Sequence, residues 1–179
     1  MVKAYKREKI VFFTLFVILG FLCNIFFAGK KSPDNDVISA SLSANYIALL
    51  LNNSYILYMY FKTKKINYIY DKIVCRIGQK KFFNIYILNS ILDILLYNFI
   101  TYFIIYLKLG INIRFIAFFL TFLAVNLLNF FLQELVSTLV FFTQKGSKYI
   151  IYPVIMNLLF HYYMIPLLIT IFSKHIGGI

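Results

Sequence analysis

Long apolar runs separated by short, polar and mostly basic segments set the pattern of this chain. Apolar residues dominate positions 10–28, 37–61, 82–107, 113–142 and 149–172. Wound as helices rising about 1.5 Å per residue, these runs are long enough to cross a hydrocarbon core of about 30 Å, the first of them only just. Backbone groups in lipid must bond within their own segment, so such runs predict helices. The expectation is an all-α, polytopic transmembrane bundle of about five spans, a single domain over residues 1–179. A basic start (Lys3, Lys6, Arg7, Lys9) before the first run also suits a secretory leader. The length of that run and the poor cleavage site at Phe26-Phe27-Ala28-Gly29 favour a retained anchor.

The segments between and within the runs add detail. Gly, Pro and Asn/Asp at 29–36 (GKKSPDND) predict a turn, with Ser32 or Asp34 placed to cap the second helix. The second run opens with Ser39, Ala40, Ser41, Ser43, Ala44 and Asn45, a face that lets helices approach closely, and Asn52, Asn53 and Ser54 continue its polar character. The fourth run has no Gly or Pro and would measure roughly 45 Å as one helix, so one tilted helix is expected there. Pro153 stands near the start of the fifth run, and Pro166 predicts a kink within it.

Composition agrees with the pattern. Of 179 residues, 62% are hydrophobic and 13% charged, against roughly 25% charged in a soluble domain. A soluble core of this size cannot absorb that much apolar surface. A net charge of +12 would raise nucleic acid as a partner in a soluble protein. Here the basic residues lie between apolar runs, so topology and anionic headgroups explain them and nucleic acid is not expected. The positive-inside rule then orients the chain: N-terminus inside and C-terminus outside, with residues 1–9, 62–81 and 143–148 in the cytoplasm of a bacterial cell. Only 29–36, the 108–114 turn and the tail bearing Lys174 face out.

Candidate chemistry is sparse. Cys23 lies in an apolar run and Cys75 in a basic loop, without a CxxC or Cys/His cluster, so neither a disulfide nor a metal site is expected. No HExxH, GxSxG or Gly-rich phosphate loop occurs, which argues against an enzyme and against a cofactor. Asp93, near the middle of the third run, and Glu134, near the inner boundary of the fourth, are the acids within the spans. Carboxylates in hydrocarbon often mark a pathway for a proton or a cation; the competing reading is structural, with Lys145 or Lys148 neutralising Glu134. The two are expected near opposite thirds of the membrane. Asn126, Asn129 and Gln133 share one face of the fourth helix beside Glu134, either packing against other helices or lining a polar path. His161, with Tyr162 and Tyr163, has no second His or Cys at helical spacing and reads as a packed hydrogen-bonding residue.

Residues 62–81 are the most informative. Lys62, Lys64, Lys65, Lys72, Arg76, Lys80 and Lys81 stand against Asp71 alone. Ile69, Ile73, Val74 and Ile77 recur at helical spacing, predicting a short amphipathic helix ended by Gly78. The stretch from Tyr70 to Phe83, with Arg76, Gly78, Lys80, Lys81 and Phe82, resembles the coupling-loop signature of small type-2 ABC exporter permeases of Gram-positive bacteria. That resemblance implies a permease subunit paired with a cytoplasmic ATP-binding subunit, and exporting or giving immunity to antimicrobial peptides. It implies an ATPase-docking loop carrying Asp71, Arg76, Gly78, Lys80 and Lys81, in a homodimer or beside a second membrane subunit. Two other classes compete: a non-transporting immunity or accessory protein that binds a partner in the bilayer, and an ion- or proton-driven carrier using Asp93 or Glu134.

Overall fold

The computed structural model describes residues 2–27, 47–109, 116–142 and 151–176. The turn at 29–36, the small and polar face at 39–45, and Lys145 and Lys148 lie outside the described residues, as do the surroundings of Cys23.

Every regular element among the described residues is helical. Helix α1 spans Val2–Phe27. A π-helical turn, Ile47–Asn52, runs into α2 at Asn53–Asn67. After a turn at Tyr68 and Ile69 come the short α3, Tyr70–Ile77, and the long α4, Gln79–Leu109. Helix α5, Ile116–Thr138, tightens into a 3-10 turn at Leu139–Phe142. Helix α6, Ile151–Leu159, passes through a π turn at Phe160–Met164 into α7, Ile165–Ile176. Three helical stretches among the described residues are long and apolar enough to cross a membrane: Gln79–Ile104, Phe119–Phe142 and Ile151–Ile171. Their lengths and composition are those of a membrane protein.

The irregular turns have local causes. Pro166 lacks the N–H that would bond one turn back, and its ring crowds that carbonyl; the wider π turn at Phe160–Met164 sits directly before it. Pro153 lies in the first turn of α6, where a missing N–H leaves nothing unsatisfied. The α-helical part of the fourth run is shorter than the single long helix expected from its composition. Its α-helix ends at Thr138, whose hydroxyl bonds the Leu135 carbonyl at 2.6 Å, and a 3-10 turn follows.

Helix α2 sits at the centre, packed on α5, α6 and α3, with α1 against α4 and α4 against α5. Its residues Tyr55, Ile56, Met59, Lys62 and Thr63 are all buried, a face that repeats every turn. Tyr55 stacks on Tyr97 at 4.2 Å, and Phe130 meets both rings edge-on at 5.2 and 5.0 Å. Leucine, isoleucine and phenylalanine side chains cover the outside, among them Leu88, Leu92, Phe99 and Leu128. In water such a surface would aggregate; in lipid it is the solvated face.

The start of α1, the end of α2, the start of α4 and the end of α5 meet at one end of the bundle. Glu8 of α1 receives both 2.6 Å bonds from Lys65 of α2. Tyr70 stacks on Phe141 at 5.4 Å, and Phe141 packs edge-on against Phe82 and Tyr86. This aromatic knot, with Ile73 and Val74, seats the apolar side of α3 on α4 and on the 3-10 turn that follows α5. Helix α3 is short because Gly78 stops it: its N–H caps the Val74 carbonyl at 2.9 Å, with φ 81° and ψ 152°. That backbone region is open essentially to glycine alone, and holding another residue there costs about 1–3 kcal/mol.

Candidate functional site

One lysine organises the buried polar groups. Lys62 falls on the inward face of α2, in phase with Tyr55 and Met59, and is 4% exposed. Its ammonium donates to Ser90 Oγ at 2.8 Å and Asp93 Oδ2 at 3.4 Å, and lies 3.1 Å from Glu134 Oε1. Asp93 has no exposed surface; Lys9 of α1 pairs with its other oxygen, and Tyr58 donates to Oδ2 at 3.2 Å. Glu134 Oε1 also accepts from Tyr86 at 2.8 Å and Ser90 at 2.6 Å, while Oε2 is buried without a hydrogen-bond partner among the described residues. Thr63 Oγ1 lies 2.8 Å from both the Met59 carbonyl and the Tyr86 hydroxyl. Two ammonium groups and two carboxylates thus join α1, α2, α4 and α5. Charges this deeply buried persist because each has a partner.

This arrangement corrects two expectations. Asp93 and Glu134 do not stand at opposite thirds of the bundle; they converge on one ammonium. Lys62 does not belong to a solvated loop over 62–81, because α2 continues to Asn67 and carries it inside. The long lysine stem packs among apolar neighbours while its head finds carboxylates, which makes helix continuation cheaper than a break.

A second polar layer lies ten residues, or roughly 15 Å, back from Lys62, where the π turn runs into α2. Asn52 donates to Asn157 Oδ1 at 2.9 Å and accepts from Tyr97 at 2.6 Å, and Asn157 donates to Asn53 at 3.0 Å. Asn126 and Asn129, which with Asp93 and Glu134 are the candidates for a polar path, are buried and bond outside the ion cluster. Asn126 donates to Asn98 at 2.7 Å, and Asn129 accepts from Gln133 at 3.2 Å. Those four residues therefore form no single hydrogen-bonded chain among the described contacts. His161 is buried within the π turn, edge-on to Tyr162 at 5.1 Å. Among the described residues no His, Cys, Asp and Glu cluster could hold a metal ion.

The residues expected to form a docking loop lie together on the surface. Asp71, Arg76, Gly78, Lys80 and Lys81 are all exposed at the end where α3 sits, with Lys72 and Cys75 beside them. Tyr68, in the turn before α3, is 89% exposed. Sequence reasoning misses Lys9, Tyr86 and Ser90 as members of the buried cluster. For the two on α4 the signal is phase: Tyr86, Ser90, Asp93 and Tyr97 recur at helical spacing on its buried face.

Comparison of the chain with known protein families, curated proteins and solved structures gives no match.

Proposed function

We propose that this chain is the membrane-spanning subunit of an ABC-type exporter, with α3 as the element on which a cytoplasmic ATP-binding subunit docks. The observation that carries this reading is the seating of α3. Its polar side is open and basic, while its apolar side is keyed through Tyr70, Phe82, Tyr86 and Phe141 into α4 and the 3-10 turn after α5. Tyr86 in turn bonds Glu134. A push on α3 is thereby delivered through packed rings to the ion cluster that joins four helices, which is what coupling a motor to a bundle requires.

In this reading the bundle crosses a bacterial plasma membrane about five times, N-terminus inside and C-terminus outside. The distribution of basic residues supports that orientation, since Lys64, Lys65, Lys72, Arg76, Lys80 and Lys81 share the α3 end. Cys75 provides the check. In a Cys23→Ala background, a membrane-impermeant maleimide is expected to label Cys75 only after the cells are permeabilised. Labelling of intact cells would reverse the orientation and remove α3 from the cytoplasm.

The docking reading is tested by affinity purification of the detergent-solubilised protein, wild type beside Arg76→Glu, with partners identified by mass spectrometry. An ATP-binding subunit is expected with the wild type, and its yield is expected to fall about tenfold or more with Arg76→Glu, as for a lost charge-assisted contact. Wild type purifying from its native membrane without an ATPase would sink the exporter reading. A second reading, a non-transporting immunity or accessory protein that binds a partner in the bilayer, draws on the compensated interior, where Lys9 and Lys62 balance Asp93 and Glu134. Such an interior suits a fixed scaffold. Protection that persists when every candidate ATPase is deleted would favour it.

A further inference from the structure

A narrow slot runs between α1 and α2, and its chemistry changes along its length. Ser54, Leu57, Tyr58, Phe61, Lys62 and Lys65 line it from α2, at positions that repeat along one helix face. Glu8, Lys9 and Phe12 face them from α1. From Ser54 to Lys65 the wall extends roughly 16 Å. Its charged residues, Glu8, Lys9, Lys62 and Lys65, gather toward the end that carries α3, with Asp93 and Glu134 paired to Lys9 and Lys62 behind the wall, and its other half is lined by Ser54, Leu57, Tyr58, Phe61 and Phe12.

Size identifies the kind of occupant. A volume of about 410 Å³ is well under that of a helix running the same length. A helix, about 10–12 Å across with its side chains, does not fit such a volume, whereas one polymethylene chain does. Unused donors identify the head. Among the described residues Lys9 has Asp93 as its ion partner and Lys65 has Glu8. An ammonium carries three donors, so both lysines keep N–H groups for a further acceptor. Lys9 is 27% exposed along its side chain and Lys65 49%, so neither is sealed inside the buried cluster.

We propose that the α1–α2 slot holds one anionic phospholipid, its phosphate against Lys9 and Lys65 and one acyl chain along Phe12, Leu57 and Phe61. The site is separate from the exposed face of α3 and does not depend on what docks there. A bound chain fills the gap on one flank of α1, and its headgroup adds a third party to the Glu8–Lys65 bridge.

The test is native mass spectrometry of the full chain in detergent, titrated with phosphatidylglycerol or with phosphatidylcholine of the same acyl composition. Wild type is expected to retain one phosphatidylglycerol, in preference to phosphatidylcholine by about tenfold, the scale of one charge-assisted hydrogen bond. Lys65→Gln is expected to erase most of that preference. Leu57→Trp, which keeps every charge but fills the slot, is expected to lose the retained lipid of either kind. Lys72→Gln, an exposed lysine on α3 outside the slot, is expected to behave as wild type. Each variant is scored only as a monodisperse species of wild-type elution volume, and the Leu57 and Lys65 variants report independently. Equal retention of the two lipids by wild type would overturn the proposal. So would full retention by Leu57→Trp, or a loss with Lys72→Gln as large as with Lys65→Gln, which would mark diffuse surface attraction.

Discussion

Replacing Lys62 by methionine is expected to destabilise the bundle by about 3–5 kcal/mol, the cost of leaving a buried carboxylate without its cation. The methionine stem refills the space of the lysine stem, so the loss reports charge more than volume. Two second-site changes separate the partners. Lys62→Met with Glu134→Gln leaves Lys9 paired with Asp93 and no buried charge alone, and is expected to regain most of the loss. Lys62→Met with Asp93→Asn leaves Glu134 without its cation and Lys9 without its carboxylate, and is expected to regain none of it. Unfolding of the purified protein in mixed detergent micelles, followed by loss of helical signal, gives the four stabilities. Equal recovery in both double variants would show that Lys62 does not discriminate between the two carboxylates.

Phe130→Ala is expected to cost about 2–3 kcal/mol, and Phe130→Leu less than half of that. In water a buried phenylalanine truncated to alanine loses about 3–5 kcal/mol, part of it transfer from water. Helices that come apart in a bilayer remain in an apolar solvent, so the transfer part falls away and the cavity remains. Phe130 has no exposed surface and touches Tyr55 and Tyr97 edge-on, so its removal opens a hole at the α2–α4–α5 junction. The same micellar unfolding measures it. A loss under 1 kcal/mol would mean that the tyrosines collapse into the gap.

The apolar runs make the helices legible because lipid leaves the backbone one economical solution. The short α3 is legible for a different reason: Ile69, Ile73, Val74 and Ile77 mark its face and Gly78 its end, and both are local properties. The ion cluster is not legible in the same way. Asp93 and Glu134 stand out as acids in apolar surroundings, but Lys62 and Lys9 carry the charge expected of a cytoplasmic flank and read as part of it. Only helical phase distinguishes Lys62, which shares the face of Tyr55 and Met59, from Lys64 and Lys65 on the open side. The hydrogen-bond partners of Asn126 and Asn129 are not legible either, because one face of a helix does not decide which neighbour each residue meets. The partners, Asn98 and Gln133, are set by the packing of α4 on α5 and by the next turn of α5.

The joining of Lys9, Lys62, Asp93 and Glu134 has an electrical consequence. A transmembrane voltage does work only on net charge displaced along the field, about 2.3 kcal/mol per elementary charge for each 100 mV crossed. With both ammonium groups and both carboxylates charged, the quartet sums to zero. Carried through the field as one body it exchanges no energy with the membrane potential. Drawing α1 away with Lys9, while Asp93 stays on α4, separates one positive charge from the rest and makes that movement sensitive to voltage.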